Sequence, residues 1–286
     1  MAIKIASWNV EGRLSGYQKS GRGTTAHILR EIDRLDADVL VLPEFYINSL
    51  PAEVKKRLGA LGYKVLEAIY DDVGREPYER ERWGEERIGL LSRLPVSNVR
   101  EIRPGGLRSL VTCDVTEPET GQKLRVAAIH LEDRTEAMRV MQAEALVKIV
   151  NEEAVPTILL GDFNAMWHKG RARLLTSVPV RVIAKCVPHE ELRSVAVRVT
   201  EMAAGEALRI LAERTSLCDA DARRRPTTTP KMRFTPYLPS VRLLQLDHML
   251  VTPDVSVNDF TVHGDGGSDH RAISATLDIA VPTAEN

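Results

Sequence analysis

Short apolar runs separated by polar punctuation predict a chain rich in strands, with a few helices between them. Ile3 to Ser7 reads as a strand that ends in Trp8-Asn9, with Glu11-Gly12 opening a loop. Thr24 to Leu35 repeats its apolar positions at Ile28, Ile32 and Leu35, a helical spacing. A second strand, Val39 to Leu42, is apolar throughout and stops at Pro43-Glu44. Pro51 to Leu61 predicts another helix and Tyr63 to Ala68 another strand, whereas the charge-dense Asp71 to Arg87 reads as a solvated loop or short exposed helix. Strands are then expected at Ile88–Leu91, Val96–Ile102, Leu110–Val115 and Leu124–His130, with turns at Gly105-Gly106 and Glu119-Thr120-Gly121.

The second half is less regular. Glu136 to Val150 has helical periodicity, with Met138, Met141, Ala145, Leu146 and Ile149 on or near one face. Thr157 onward becomes the apolar Ile158-Leu159-Leu160, which breaks off in Gly161-Asp162-Phe163-Asn164. From His168 to Leu217 the pattern fits strand and helix alike. A helix beginning near Pro188 is preferred, since proline suits a first turn and Leu192 to Leu211 keeps helical spacing. Leu243–Val251, Val255–Val262 and Ala272–Leu277 predict the last strands, and the tail beyond Val281 is expected to fray.

The 286 residues contain no Gly/Ser/Pro linker and no apolar run long enough for a membrane span, so one domain over residues 1–281 is expected. The start has neither the apolar stretch nor the cleavage site of a signal peptide, which makes a cytoplasmic location the default. Cys113, Cys186 and Cys218 are too far apart for a zinc site or a disulfide framework, and they read as reduced, mostly buried thiols. A formal net charge of -1 excludes global attraction to nucleic acid. A local exception is the acid-free run from Arg223 to Arg242, where Arg223, Arg224, Arg225, Lys231 and Arg233 are candidates for contacting phosphates; the alternative is a solvated loop.

Chemistry collects where apolar strands end. A carboxylate at the mouth of a buried strand is costly unless paired or bound to a cation, which makes Glu44 a candidate metal ligand. Asn9 is a hard oxygen ligand, an orienting group or a turn residue. Gly161 lets the backbone bend toward a ligand, Asp162 can accept a proton and Asn164 can donate to a phosphate oxygen, although both polar residues also suit a cap. His130 between aliphatics is usually a satisfied core histidine. His189-Glu190-Glu191 lacks the second histidine of a metalloprotease motif.

Trp8-Asn9, Glu44, His130-Leu131, Gly161-Asp162-Phe163-Asn164, Leu246-Asp247-His248 and Ser268-Asp269-His270 stand in the order and approximate spacing of the endonuclease/exonuclease/phosphatase superfamily, which the chain resembles from Trp8 to Leu277. Residues 168–217 have no counterpart. The resemblance implies a four-layer α/β/β/α sandwich, two packed mixed β-sheets flanked by helices, and hydrolysis of phosphate esters with Mg²⁺ or Mn²⁺. It implies that Glu44 binds the metal with Asn9 and Asp269 in support, that Asp162 positions and deprotonates the attacking water, and that Asn164 holds a phosphate oxygen. Asp247 would orient His270, and His270 and His130 would stabilise the phosphoryl oxygens. The favoured substrate is DNA or RNA; the alternatives are a small phosphorylated metabolite, a lipid headgroup or a non-catalytic binding role. Two departures stand out. Pro43 occupies the place where the family commonly has Gln, and His130 stands where its apurinic endonucleases carry Tyr. No aromatic or aliphatic hairpin that would dip into a bilayer is evident.

Overall fold

The computed structural model describes residues 2–12, 24–45, 50–69, 87–104, 108–152, 154–169, 171–186, 188, 190–228, 244–264 and 266–280. The expectations for Asp71–Glu86, Gly105-Gly106, His189, Lys231, Arg233, Arg242 and the tail lie outside them.

In chain order the elements are β1 (Ile3–Ser7), α1 (Thr25–Leu35), β2 (Val39–Leu42), α2 (Ala52–Ala60), β3 (Lys64–Ile69), β4 (Arg87–Ser92), β5 (Val96–Ile102), β6 (Leu110–Thr116), β7 (Lys123–His130) and α3 (Glu136–Glu152). There follow β8 (Thr157–Asp162), α4 (Arg171–Leu175), α5 (Val178–Cys186), α6 (Glu190–Met202), α7 (Glu206–Arg214), β9 (Cys218–Asp219), β10 (Asp247–Val251), β11 (Val255–Val262) and β12 (Ile273–Ile279). They build two six-stranded sheets, ordered β11-β12-β1-β2-β4-β3 and β5-β6-β7-β8-β10-β9. Each sheet has one parallel pair near its centre, β1 with β2 and β7 with β8, and antiparallel partners elsewhere.

Strands buried on both faces explain the unbroken apolar runs of β2 and β8. Ile5, Val41, Leu90, Val126, Leu160 and Met249 pack between the sheets. On the outer face of the first sheet, Ile28 and Ile32 of α1 and Val54 and Leu58 of α2 meet Leu40 and Leu42. Outside the second, Leu146 and Val150 of α3 and Leu208 and Leu211 of α7 meet Ile129, Leu159 and Phe163. The result is the four-layer sandwich with two mixed sheets. No described helix is long and apolar enough to cross a membrane.

Several local expectations are corrected. Helix α3 is rotated from its predicted face: Met141 is 45% exposed, and Arg139 and Gln142 are buried instead. Those two long polar side chains turn inward because they satisfy the loop after β7. Arg139 donates to the Glu132 carbonyl at 2.9 Å, and Gln142 accepts from the Glu132 N–H at 2.8 Å. The helix predicted through Leu211 breaks after Met202, because Gly205 (φ +67) lies so close to Met166 that an added Cβ would come within 2.2 Å of its carbonyl oxygen. Helices α4 and α5 and the two-residue β9 were not expected. Of the cysteines only Cys113 is buried; Cys186 ends α5 and Cys218 lies on the edge strand β9, both exposed. The strand predicted from Leu243 begins only at Asp247.

Candidate active site

Register brings the polar strand ends together. In the second sheet His130 of β7 and Asp247 of β10 both pair with Asp162 of β8, so three of the candidate side chains stand in one rank across three neighbouring strands. In the first sheet the pairing of β1 and β2 continues past their ends through Val10 N–H to the Pro43 carbonyl (3.2 Å) and Gly12 N–H to the Glu44 carbonyl (2.7 Å). Asn9 and Glu44 thereby become neighbours at the same mouth. The loop after β11 closes it: the Ser268 hydroxyl donates to the Asn9 carbonyl at 2.7 Å, and the Trp8 indole donates to the His270 carbonyl at 3.0 Å.

One amide joins the sheets. Asn9 Nδ2 lies 3.2 Å from Glu44 Oε1 and 3.1 Å from Asp162 Oδ2, donating to both, while its Oδ1 accepts from the Glu11 N–H at 3.0 Å. That last bond turns the NH₂ rather than the carbonyl oxygen toward the carboxylates. On the far side, His270 Nε2 is 3.7 Å from Asp162 Oδ2, and its Nδ1 is 2.8 Å from Asp247 Oδ2. Asp269, beside it, has its Oδ1 3.3 Å from the same Ser268 hydroxyl. Asn164 is buried; its Nδ2 gives one hydrogen to the Leu131 carbonyl at 3.0 Å, and its backbone N–H caps Asp162 at 2.9 Å. Glu44 (φ +49) and Asn164 (φ +47) both hold left-handed backbone, which is uncommon for Glu. Gly161 (φ +147) approaches the Ile129 carbonyl of the neighbouring strand rather than a ligand, and a Cβ there would lie 1.9 Å from that oxygen.

The electrostatics push neighbouring groups apart. Burial raises the Asp162 carboxyl to about 7, with His270 pulling the other way. His270 lies well above the usual imidazole range: burial opposes its charge, but Asp247 and Asp162 outweigh it. His130, whose Nε2 is 3.8 Å from Asp162, lies well below that range, because it is desolvated and the Arg108 guanidinium sits 2.7 Å from its ring nitrogens. One histidine is therefore a cation and the other neutral.

A hard cation fits this set. Asp247 Oδ1 is buried without a hydrogen-bond partner, and Asp162, Asp247 and His270 offer ligand atoms within 4.8 Å of one another. A protonated His270 has no lone pair to give, however, so the donors that suit a metal are the carboxylates, with Glu44 and Asp162 held together by Asn9.

The basic run divides. Arg225 is committed internally, to Asp221 at 3.1 Å and the Phe260 carbonyl at 3.1 Å. Arg224 lies over the Trp167 ring, 5.2 Å from its centroid, and Arg223 is exposed. Two groups escaped the sequence reading. Arg108 had no motif around it, and only its burial against His130 and Asp133 marks it. His248 bridges Asp219 (3.0 Å) and the Ala165 carbonyl (2.9 Å), two acceptors, so both its ring nitrogens carry hydrogens; the Leu-Asp-His triplet held that signal.

The Endonuclease/Exonuclease/phosphatase family model matches residues 6–270. No curated protein matches the sequence. Among solved structures, an endonuclease/exonuclease/phosphatase from Bacteroides vulgatus is similar at 14% identity and a TM-score of 0.66, over 98% of this chain and 99% of that one. A mannosyl-6-phosphatase from Bacteroides thetaiotaomicron is similar at 15% identity and TM-score 0.62, over 97% and 100%. A 3' phosphatase from Neisseria, bound to a product DNA hairpin, is similar at 18% identity and TM-score 0.60, again over 97% and 100%.

Proposed function

Because the chain belongs to the Endonuclease/Exonuclease/phosphatase family, whose members hydrolyse phosphate esters, we propose that it cleaves phosphodiester bonds with Mg²⁺ or Mn²⁺, DNA or RNA being the first substrate class to test. The observation that carries this reading is the single chain of contacts from Glu44 through Asn9 and Asp162 to His270 and Asp247.

Glu44, with Asp269 as a further carboxylate, would hold the cation, which when bound neutralises charge building on the phosphoryl oxygens. Asp162 takes the proton of the attacking water, and its raised carboxyl pKa of about 7 suits a base working near neutrality. Asn9 fixes the carboxylate that performs this step. His270, held charged and oriented by Asp247, donates to a phosphoryl oxygen, and the second amide hydrogen of Asn164 is available to another. His130 is neutral and serves as a hydrogen-bond donor rather than as a charge, while Arg108 behind it supplies the fixed positive field.

The test is a panel of single-stranded and duplex DNA, RNA, phosphoinositides, sphingomyelin and a small chromogenic diester, assayed with Mg²⁺, Mn²⁺ and chelator. Turnover should vanish in chelator, and Glu44→Gln should lose both turnover and calorimetric Mg²⁺ affinity. Full activity in chelator, or unchanged affinity in the variant, would refute the reading. A nucleic-acid substrate also predicts that replacing Arg223 and Arg224 by Ala raises KM for an oligonucleotide and flattens its salt dependence, with the small diester unaffected. A second reading, a small phosphorylated metabolite or lipid headgroup, is favoured by the internal pairing of Arg225, which shortens the basic run.

A further inference from the structure

We propose that the outer surface of the α4–α5 segment docks on an anionic lipid bilayer. Val178 and Val182, one helical turn apart on α5, are 73% and 52% exposed, and Cys186 a turn further on is exposed as well. The other strongly exposed large apolar side chains among the described residues, Val99 and Met141, sit on different elements. The sequence offers no aliphatic hairpin for a bilayer; the exposed aliphatic surface is on a helix instead.

Charge identifies the occupant. Residues 163–189 contain Lys169, Arg171, Arg173, Arg181 and Lys185 and not one Asp or Glu. Lys169, Arg173 and Lys185 are exposed, and no ion pair to a described residue engages them. Exposed cations with no ion pair to a described residue also occur elsewhere, at Arg30, Lys55 and Lys56, but those helices expose no large apolar side chain beside them, whereas Arg209 and Arg214 on α7 are matched by Glu206, Glu213 and Glu144. Lys185 shares α5 with the exposed valines, Arg173 and Lys169 lie on and just before α4, and the first acids, Glu190 and Glu191, come only at the start of α6. Cations and valines in one segment suit a surface that offers phosphates and hydrocarbon together, as a bilayer interface does. A nucleic acid offers the phosphates but nothing in which to bury valine.

The segment is also fixed to the site. Ala172 and Leu175 of α4 and Val199 and Met202 of α6 pack with Met166 and Leu246, which flank Asn164 and Asp247 in sequence. A membrane held by this surface is thus held by the module that seats two of the proposed active-site residues, whichever ester is cleaved.

The experiment is flotation of the full chain with vesicles of pure phosphatidylcholine and of phosphatidylcholine mixed with phosphatidylglycerol, read without turnover. Binding should appear on the mixed vesicles and weaken with salt. Val178→Ser with Val182→Ser should reduce it about tenfold or more, from the lost burial of two aliphatic side chains. Reversal of charge at Lys169, Arg173 and Lys185 should abolish the preference for anionic vesicles. Both variants should keep wild-type melting temperature and wild-type cleavage of the small diester, which separates docking from folding and from the proposed chemistry. Absence of binding to mixed vesicles, or valine variants that bind as wild type, would overturn the proposal. So would an oligonucleotide that binds this surface with the valines irrelevant, since the surface would then belong to nucleic acid.

Discussion

Asp162 stands between two histidines held in opposite states, and the difference comes from their other neighbours. Asp247 stabilises a proton on His270, whereas Arg108 and burial remove it from His130. Groups of one residue type pushed apart in this way divide the labour of a site. If Asp247 acts only through the imidazole it orients, Asp247→Asn and His270→Ala should each lower kcat by roughly 10²- to 10⁴-fold, and the double variant should fall little further. Single-turnover kinetics on the three proteins would decide it, multiplicative losses meaning that the two residues act apart. The polar residues of this cluster were legible because each ends an apolar run. Arg108 was not, since it precedes β6 with nothing to mark it, and its meaning comes from His130, 22 positions away, which only folding brings near. The orientation of Asn9 was equally out of reach, because it depends on one backbone N–H, that of Glu11.

Among the elements, the β7–β8 pair carries the tightest tolerance. Gly161 lies where an added methyl would overlap the Ile129 backbone, in a conformation that only glycine adopts freely. Gly161→Ala should therefore cost more than about 3 kcal/mol and displace Asp162 and its partner His130. Gly121, also at positive φ (+71) but with open space around it, provides the contrast: Gly121→Ala should cost only about 1–2 kcal/mol and leave turnover intact. Urea denaturation of both variants checks the ordering. Most strands could be placed from their runs and turns, yet their sheet membership could not, because β2 and β8 are apolar on both faces and pair across long stretches of chain. The helices from residue 171 to 214 were obscured for a different reason. Their breaks are set by tertiary contact, as at Gly205 against Met166, and their outer valines hide the usual polar face.

At the scale of the molecule, two sheets are held together by apolar packing and meet at a mouth crowded with acid. On the proposed reading, a cation bound there would compete with the proton that burial keeps on Asp162 up to about pH 7. Folded Asp162 binds its proton more tightly than the unfolded chain does, so from its unfolded pKa of 3.8 up to about 7 its contribution to stability falls as pH rises. A bound cation would reverse that loss by favouring the ionised form. The rise in Tm caused by Mg²⁺ should accordingly be small well below pH 7 and larger above it, and Glu44→Gln should remove most of it. Thermal melts across pH, with and without Mg²⁺, would show this, and a rise in Tm independent of pH would detach Asp162 from the cation.

The antiparallel pairing of β1 with β12 also has a practical side. Ile3 faces Leu277 across the sheet while Ser7 faces Ile273, so the first strand starts, and the last strand finishes, at the rim remote from Asn9 and His270. Both are natural handles. A protein tethered to a bead ahead of β1 or beyond β12 should present its mouth outward in either case, with the KM it has in free solution. A tether at Lys185, on the cationic face of α5, should instead hinder any substrate that arrives on a vesicle while sparing one that arrives dissolved.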